Sequence, residues 1–448
     1  MVVTKCLLFQ RAASGLLVKG GPLRNFSLPA TAGKSHYKVL VAGGGTGGCS
    51  VASRLRDILP AGGVAVIEPH EHHYYQGAWT LVGAGIINLP ATRIPMQQAI
   101  PDNAEWIHDK VVAFDPPNNK VTTASGRQIT YDYLVLCVGL RLRFDLIKGA
   151  LEALDNDPRV CSNYSAYYVE KTFKAFQNFK TGTAIFTLPH TPIKCAGAPL
   201  KVTYLFEDYL AQRGRKNDAK ILYFTALKSI FSVPKYAQAL REICVKRGIE
   251  AFYEHNLVEI DHKNSIAVMQ NPTTKETSEY SYDFLHLTPP MTSPDVLTTT
   301  PGLTNPGANN YVDVDQGTLR HVKFGNIFSL GDCSSLPTSK TAAAVATQSR
   351  VLVDNLTDLL AGGSGTVSKY TGYTSCPLIT GYQKGILAEF DYDLNPVETF
   401  PIDQSQERAL FAWVKRSLLP PLYWNGLIRG IWSGPSKVRK LLRFGLSK

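Results

Sequence analysis

Three glycines with a characteristic spacing follow a short β-branched, apolar run and precede a helical pattern: Gly43, Gly45 and Gly48. In such a GxGxxG turn, the first glycine permits the sharp strand-to-helix turn and the second lets the backbone approach a pyrophosphate. The third lets the helix pack closely on the strand, so that the phosphates lie at the helix N-terminus. A second apolar run ends in Glu68, at the position where an acid binds a ribose. The pattern predicts a dinucleotide-binding βαβ unit.

A second pair of candidate residues follows a later strand pattern. Asp332 ends the apolar run 326–331, and Thr341 opens a further helical pattern. An aspartate at a strand end can accept hydrogen bonds from a ribityl chain, and a helix N-terminus stabilises the reduced, anionic ring of a flavin. An ordinary helix cap at Thr341 is the alternative. Together with the glycine turn, the pair favours a flavin.

The strand–helix–strand pattern restarts after residue 161. Residues 183–188 and 220–224 read as strands around a helical pattern at 200–212, but the turn between them carries no GxGxxG. A reductase fed by NAD(P)H would need those glycines. The sequence therefore predicts an α/β fold with two Rossmann-like domains, the second inserted in the first, and no NAD(P)H partner.

The predicted boundaries follow from this restart. Residues 36–160 and 290–365 form the FAD-binding domain, and residues 161–289 form the second Rossmann-like domain without a nicotinamide fingerprint. Residues 366–448 form a C-terminal region, and residues 1–35 a targeting segment.

The chain has eight cysteines and no CxxC pair, which does not support a structural zinc site. Three histidines, His70, His72 and His73, fit an aromatic loop over a cofactor better than a metal site, and no metal is predicted. Cys195 stands near a predicted helix start with Lys194 beside it and Lys201 one to two turns on, and both cations and the helix dipole lower a thiol pKa. Cys376, before Pro377, reads as a loop thiol, and no local pattern predicts that the two cysteines meet. An inert buried cysteine is the common alternative.

The net charge of +11 belongs to the two ends of the chain. Residues 1–34 and 409–448 hold basic residues and no acidic ones, whereas the body between them is slightly acidic, so a nucleic-acid partner is disfavoured. The N-terminal end, with basic residues spaced among leucines and serines, is typical of a mitochondrial transit peptide, with a disordered tail as the alternative.

Aromatic, leucine and basic residues are mixed in the C-terminal segments 411–424 and 427–432. Both segments fall short of the ~18 consecutive apolar residues of a membrane-spanning helix. They fit an amphipathic pair lying on an anionic membrane surface. A dimerisation face or a lid over the core is the alternative.

Several motifs together resemble the sulfide:quinone oxidoreductase family in its mitochondrial, animal-type form. Besides the glycine turn and Glu68, they are Tyr75-Gln-x-x-Trp79, Lys194-Cys-Ala-Gly-Ala-Pro199, Gly331-Asp332, the run Pro337 to Ala344, and Tyr373-Thr-Ser-Cys-Pro377. The resemblance implies non-covalent FAD held by Gly43, Gly45, Thr46, Gly47, Gly48, Glu68, Gln76, Val111, Asp332, Lys340 and Thr341. It also implies a redox bridge between Cys195 and Cys376. Lys201 is our candidate for attracting the anionic substrates, with a solvated surface lysine as the alternative.

The resemblance further implies the reaction. Hydrogen sulfide would attack the bridge at Cys376, and the sulfane sulfur would pass to a small nucleophile such as sulfite, glutathione, cyanide or sulfide. The electrons would pass through FAD to ubiquinone, with the enzyme lying peripherally on the mitochondrial inner membrane. Two alternatives are a type II NADH:quinone dehydrogenase-like flavoprotein and a non-enzymatic, membrane-associated flavoprotein.

Overall fold

The computed structural model describes residues 34–444. The predicted transit peptide, residues 1–35, lies outside the described residues except for its last two positions. Residues 35–444 belong to one compact unit.

The described chain is built of β-strands and α-helices. The strands are β1 (His36–Ala42), β2 (Val64–Ile67), β3 (His72–Tyr74), β4 (Arg93–Pro95), β5 (Ala104–Ile107), β6 (Val111–Asp115), β7 (Lys120–Thr123), β8 (Gln128–Leu136), β9 (Arg141–Leu142), β10 (Val160–Cys161), β11 (Gly182–Leu188), β12 (Ala219–Thr225), β13 (Ile249–Tyr253), β14 (Asn256–Asp261), β15 (Ile266–Gln270), β16 (Thr277–Ser281), β17 (Phe284–His286), β18 (Met291–Thr292), β19 (Thr304–Asn305), β20 (Tyr311–Val312), β21 (Ile327–Ser329), β22 (Thr374–Gly381) and β23 (Lys384–Phe390).

The α-helices are α1 (Thr46–Leu55), α2 (Trp79–Val82), α3 (Met96–Ala99), α4 (Ala150–Asn156), α5 (Val169–Asn178), α6 (Ala198–Ala211), α7 (Pro234–Arg247), α8 (Asp295–Thr298), α9 (Ala342–Leu360), α10 (Ala409–Trp413), α11 (Leu419–Leu422) and α12 (Ser436–Leu442). Two π-helical stretches, Val414–Leu418 and Tyr423–Leu427, join α10 and α11 and extend α11.

The first sheet holds the glycine turn. Its strands run in the order β5-β2-β1-β8-β7-β6, and β21 also pairs with β8. Strands β5, β2, β1, β8 and β21 are parallel, with Val41 opposite both Val66 and Val135, whereas β6 and β7 form an antiparallel hairpin. Central strands covered on both faces by helices or loops must be apolar on both faces, which explains the continuous apolar run before Gly43.

A second, wholly parallel sheet is built between β8 and β21. Its order is β10-β17-β11-β12-β13. The chain leaves the first sheet after Leu136 and returns to it at Ile327. The predicted fold class, with one Rossmann-like unit inserted in another, is confirmed.

The C-terminal region begins with a hairpin of β22 and β23 and continues into the short helices α10 to α12. Cys376 lies in β22, opposite Ala388, so the prediction of a loop thiol is wrong. Strand β22 is buried along almost its whole length, and Pro377 argued against a strand because proline is rare in a sheet. The sequence pattern over residues 163–180 predicts a helix, and the structure has that helix, α5, only over Val169–Asn178.

No helix among residues 34–444 is both long enough and apolar enough to cross a bilayer.

Candidate active site

The glycine turn has the geometry that its sequence predicts. Gly43 has φ +102°, which favours glycine, and a side chain on Gly48 would lie 1.9 Å from the Gly43 carbonyl oxygen. These two glycines therefore shape the turn. A side chain on Gly45 would meet no atom within 4 Å, because this residue faces a cavity.

That cavity, with a volume of about 550 Å³, joins the glycine turn to the two cysteines and to the C-terminal region. Of the predicted cofactor and thiol residues, those that line it are Gly45, Thr46, Gly47, Gln76, Cys195, Lys201, Asp332, Lys340, Thr341 and Cys376. Its dimensions and its mixed polar and apolar wall suit a dinucleotide or a quinone.

Four predicted cofactor residues lie outside the cavity wall: Gly43, Gly48, Glu68 and Val111. The Glu68 carboxylate accepts a hydrogen bond from the Gly44 amide at 2.7 Å and another from the His70 amide at 2.9 Å, so it braces the turn. The hydrogen bond with the His70 ring and these two amide bonds outweigh the burial that opposes ionisation, and the pKa of Glu68 is lowered. Val111 is a buried residue of β6, opposite Thr123.

The start of α9 forms the wall opposite the glycine turn. Thr341 caps this helix, because its hydroxyl accepts a hydrogen bond from the Ala344 amide at 3.0 Å. Lys340 donates to the Asp332 carbonyl at 2.6 Å. Burial raises the pKa of the Asp332 carboxyl, although Lys340 and Lys194 act against that rise. The helix N-terminus and these two lysines make this wall positive.

The two predicted redox cysteines, which are 181 residues apart in sequence, lie in contact. Their sulfurs are 3.9 Å apart. Cys195 has φ +50°, a strained value for a residue other than glycine, and its amide donates to the Lys340 carbonyl at 2.9 Å. A side chain on Gly197 would lie 2.8 Å from the Cys376 sulfur, so glycine is required where α6 starts.

Lys201 is part of this pair's surroundings and is not a solvated surface residue. Its side chain is only 2% exposed, and its ammonium donates to the Cys195 sulfur at 3.2 Å. The hydrogen bond from the Cys376 thiol lowers the pKa of Cys195 well below its usual value, and Lys201 and Lys415 add to the effect. The pKa of Cys376 is raised in turn, so Cys195 is the thiolate of the pair and Cys376 the thiol.

Comparison with known proteins identifies the family. Residues 37–174 match the family described as pyridine nucleotide-disulphide oxidoreductase. The chain is 46% identical to the mitochondrial sulfide:quinone oxidoreductase of Mus musculus, covering 96% of this chain and 94% of that one. The chain belongs to the sulfide:quinone oxidoreductase family. The mitochondrial sulfide:quinone oxidoreductase of Dictyostelium discoideum is 43% identical, with 90% of this chain and 88% of that one covered.

The fold agrees with membership of the sulfide:quinone oxidoreductase family. The crystal structure of the Aquifex aeolicus sulfide:quinone oxidoreductase superposes with a TM-score of 0.76 at 21% identity, covering 92% of this chain and 96% of that one. The family and its fold imply a flavin cofactor and favour the sulfide interpretation over the type II NADH dehydrogenase alternative.

Sequence reasoning missed Lys415, which the sulfide:quinone oxidoreductase fold brings from the C-terminal region to the thiol pair. Its buried ammonium donates to the Gly77 carbonyl at 2.6 Å, and it lines the cavity. Burial and then Lys201 lower its pKa to about 8. No local sequence signal distinguishes it from the neighbouring basic residues, because only the tertiary fold buries it.

Tyr423, also missed, ties the C-terminal region to the glycine turn. His73 Nδ1 lies 2.9 Å from the Gly44 carbonyl and must donate to it, so His73 Nε2 accepts from the Tyr423 hydroxyl at 2.7 Å. The Thr46 hydroxyl lies 2.8 Å from the same Tyr423 oxygen, which leaves Thr46 as the donor. The histidines predicted to cover a cofactor thus include one that braces this contact.

Helix α1 holds the same region at two further points. Ser53 donates to the Ile428 carbonyl at 2.7 Å, and Arg54 donates to the Trp432 carbonyl at 2.7 Å.

Within residues 34–444 no three His, Cys, Asp or Glu side chains gather as a metal site requires.

Proposed function

We propose that this chain binds FAD non-covalently and oxidises hydrogen sulfide at a Cys195–Cys376 bridge. Sulfane sulfur leaves to a small nucleophile such as sulfite or glutathione, and the electrons leave to ubiquinone. The observation that carries the proposal is the 3.9 Å contact between the two sulfurs on the same cavity as the glycine turn.

The residues around the cavity suit FAD. Gly45, Thr46 and Gly47 open the N-terminus of α1 to a pyrophosphate, and Asp332 offers an acceptor for a ribityl hydroxyl. Thr341 places the N-terminus of α9 on the same cavity, where its dipole favours an anionic ring. When bound, a flavin takes two electrons from the thiol pair and passes them to a quinone.

The unequal acidity of the two cysteines sets the direction of attack. In a bridge, hydrosulfide attacks the Cys376 sulfur, the S–S bond breaks, and Cys195 leaves as a thiolate while Cys376 carries the persulfide. The more acidic thiol is the better leaving group, and Cys195 is the more acidic. Attack by the acceptor on the outer sulfur then frees the Cys376 thiolate, and two electrons remain on the cysteine pair.

Lys201 and Lys415 provide positive charge at this step. Lys201 contacts Cys195 directly, and Lys415 acts on both thiols from the C-terminal side. Hydrosulfide and sulfite are small anions, so two buried ammonium groups attract them and stabilise the departing thiolate.

The C-terminal region supports a membrane position for the quinone exit. The cavity continues between apolar residues of this region, including Leu418, Leu422 and Trp432. Other large apolar side chains there face solvent: Trp413, Ile431, Leu441 and Phe444. With the basic residues of α12 beside them, they suit an anionic membrane surface, and we place the protein peripherally on the mitochondrial inner membrane.

The domain assignment accompanies this proposal. Residues 36–160 and 290–365 bind FAD, residues 161–289 form the second Rossmann-like domain, and residues 366–448 hold Cys376 and the quinone side.

Serine replacement of either cysteine tests the proposal. We expect Cys195→Ser and Cys376→Ser each to bind FAD as the wild type does and to lose sulfide-dependent flavin reduction. Cys244→Ser is the matched control, because Cys244 is another buried free thiol whose partner, the Tyr204 hydroxyl at 3.4 Å, can bond a serine. Sulfide turnover retained in either of the first two variants would disprove the bridge.

A further inference from the structure

Asn163 has an unsatisfied amide on the cavity wall. Its side chain is only 6% exposed, and neither Oδ1 nor Nδ2 has a hydrogen-bond partner in the described protein. The side chain packs against Gly83, where any Cβ would lie 2.2 Å from Oδ1, so it is held in place. The Asn163 backbone amide donates to His286 Nε2 at 3.0 Å, which fixes the loop.

Trp79 adds a second unsatisfied group to the cavity wall. It lines the cavity, is 6% exposed, and its indole N–H has no partner among the described residues. The Lys194 ammonium lies 5.5 Å above its ring centroid. A buried donor or acceptor without a partner is destabilising, so unsatisfied groups on a cavity wall indicate a ligand that satisfies them.

Both groups flank the thiolate cysteine. Tyr164, next to Asn163, donates from its hydroxyl to the Cys195 carbonyl at 3.4 Å. Trp79 packs under Lys194, the residue before Cys195. A ligand that bonds to both groups would therefore lie beside the segment that carries Cys195.

We propose that Asn163 and Trp79 are positioning residues for the flavin ring, an inference that rests on the proposed FAD site. A primary amide presents one donor and one acceptor side by side, which complements the adjacent carbonyl and imide N–H of a flavin. The indole N–H donates to a ring acceptor. Donors on a ring carbonyl stabilise the reduced ring, so this wall raises the reduction potential beside Cys195.

The test is titration of apoprotein with FAD, followed by spectroelectrochemistry of the loaded protein. We expect Asn163→Ala to weaken FAD binding about tenfold, because two hydrogen bonds are lost, and to lower the flavin midpoint potential. Asn163→Asp keeps the shape but replaces the donor with a carboxylate, so it should lower the potential further. Trp79→Phe, which removes the indole N–H but keeps an aromatic ring in the wall, should act in the same direction.

Tyr223→Phe is the matched control. Tyr223 is buried and its hydroxyl has no partner among the described residues, but it does not line the cavity, so affinity and potential should stay as in the wild type. If both Asn163→Ala and Trp79→Phe kept the wild-type FAD affinity and midpoint potential, the inference would be wrong. It would also be wrong if these two quantities were unchanged and only the KM for a sulfur acceptor rose, because the two residues would then bind the acceptor. If the wild type itself bound no FAD, the proposed function would be wrong as well. Failure of the proposed function is therefore seen in the wild type, whereas failure of this inference alone is seen only in the variants.

Discussion

The ammonium of Lys201 lies 3.2 Å from the sulfur of Cys195, and both residues line the cavity. A compensating negative charge stabilises a buried ammonium, so this contact favours a thiolate at Cys195. Burial opposes the charge on Lys201, but the two thiols outweigh it and raise the pKa of Lys201. The pair is therefore ionised together.

Replacing Lys201 should make the reduced Cys195 less reactive. In the wild type, the lowered pKa keeps Cys195 ionised at neutral pH, so its alkylation by iodoacetamide should vary little across that range. Lys201→Met loses a hydrogen bond to a charged group, which contributes about 1.5–3 kcal/mol, so alkylation at pH 7 should slow by roughly tenfold to a hundredfold. The rate should then rise with pH. Lys174→Met, at an exposed position of α5, should behave as the wild type, and an unchanged rate in Lys201→Met would contradict the assignment.

Lys415 should give sulfide oxidation an upper pH limit. Its pKa is lowered to about 8 by burial and by Lys201, so it is charged below that pH and neutral above it. As pH rises through about 8, the thiol pair loses one cation, and flavin reduction at saturating sulfide should slow. Lys415→Met should reduce the flavin at the slower rate already below pH 8, and its rate should not decrease further as the pH rises. The pKa of Lys194 is also lowered to about 8. Lys194→Met is therefore the control, and its flavin reduction rate should still decrease as the pH rises through about 8.

Tyr423→Phe should loosen the C-terminal region without touching the cysteines. It removes the bonds of 2.7 Å to His73 and 2.8 Å to Thr46, each contributing about 0.5–1.5 kcal/mol. We expect a lower urea midpoint and faster proteolysis after residue 409, with slower quinone reduction and intact flavin reduction by sulfide. Tyr167→Phe, at an exposed tyrosine, is the control. Wild-type proteolysis in Tyr423→Phe would contradict the role of this contact.

The exposed apolar side chains at the C-terminal end should govern vesicle binding. Leu441 is 76% and Phe444 91% exposed. Leu441→Ser with Phe444→Ser should reduce co-sedimentation with anionic vesicles several-fold, because less apolar surface enters the interface. Val245→Ser, at an apolar residue of α7 that is 81% exposed, should have no effect. These point variants are preferable to removing the region, because Lys415 and Tyr423 belong to the cavity wall.

The glycine turn could be predicted because its signal is local. A turn of six residues has a sequence pattern that reflects its own backbone geometry, as Gly43 and Gly48 demonstrate. The α/β fold followed from the repetition of such patterns. The family resemblance then supplied the pairing of Cys195 with Cys376.

The remaining site residues depend on long-range packing. Lys415 and Tyr423 reach the cavity because the C-terminal region folds back over α1, and nothing in their neighbourhood in sequence encodes that contact. The role proposed for Asn163 depends on its surroundings in the fold: its side chain packs against Gly83, and its amide has no hydrogen-bond partner among the described residues. The strand position of Cys376 could not be predicted because Pro377 is untypical of a sheet, although β22 is buried along almost its whole length.

Anaerobic titration of the FAD-loaded protein tests the central claim most directly. We predict that sulfide bleaches the flavin absorbance, that added ubiquinone restores it, and that NADH leaves it unchanged. Bleaching by NADH, with no response to sulfide, would contradict the account.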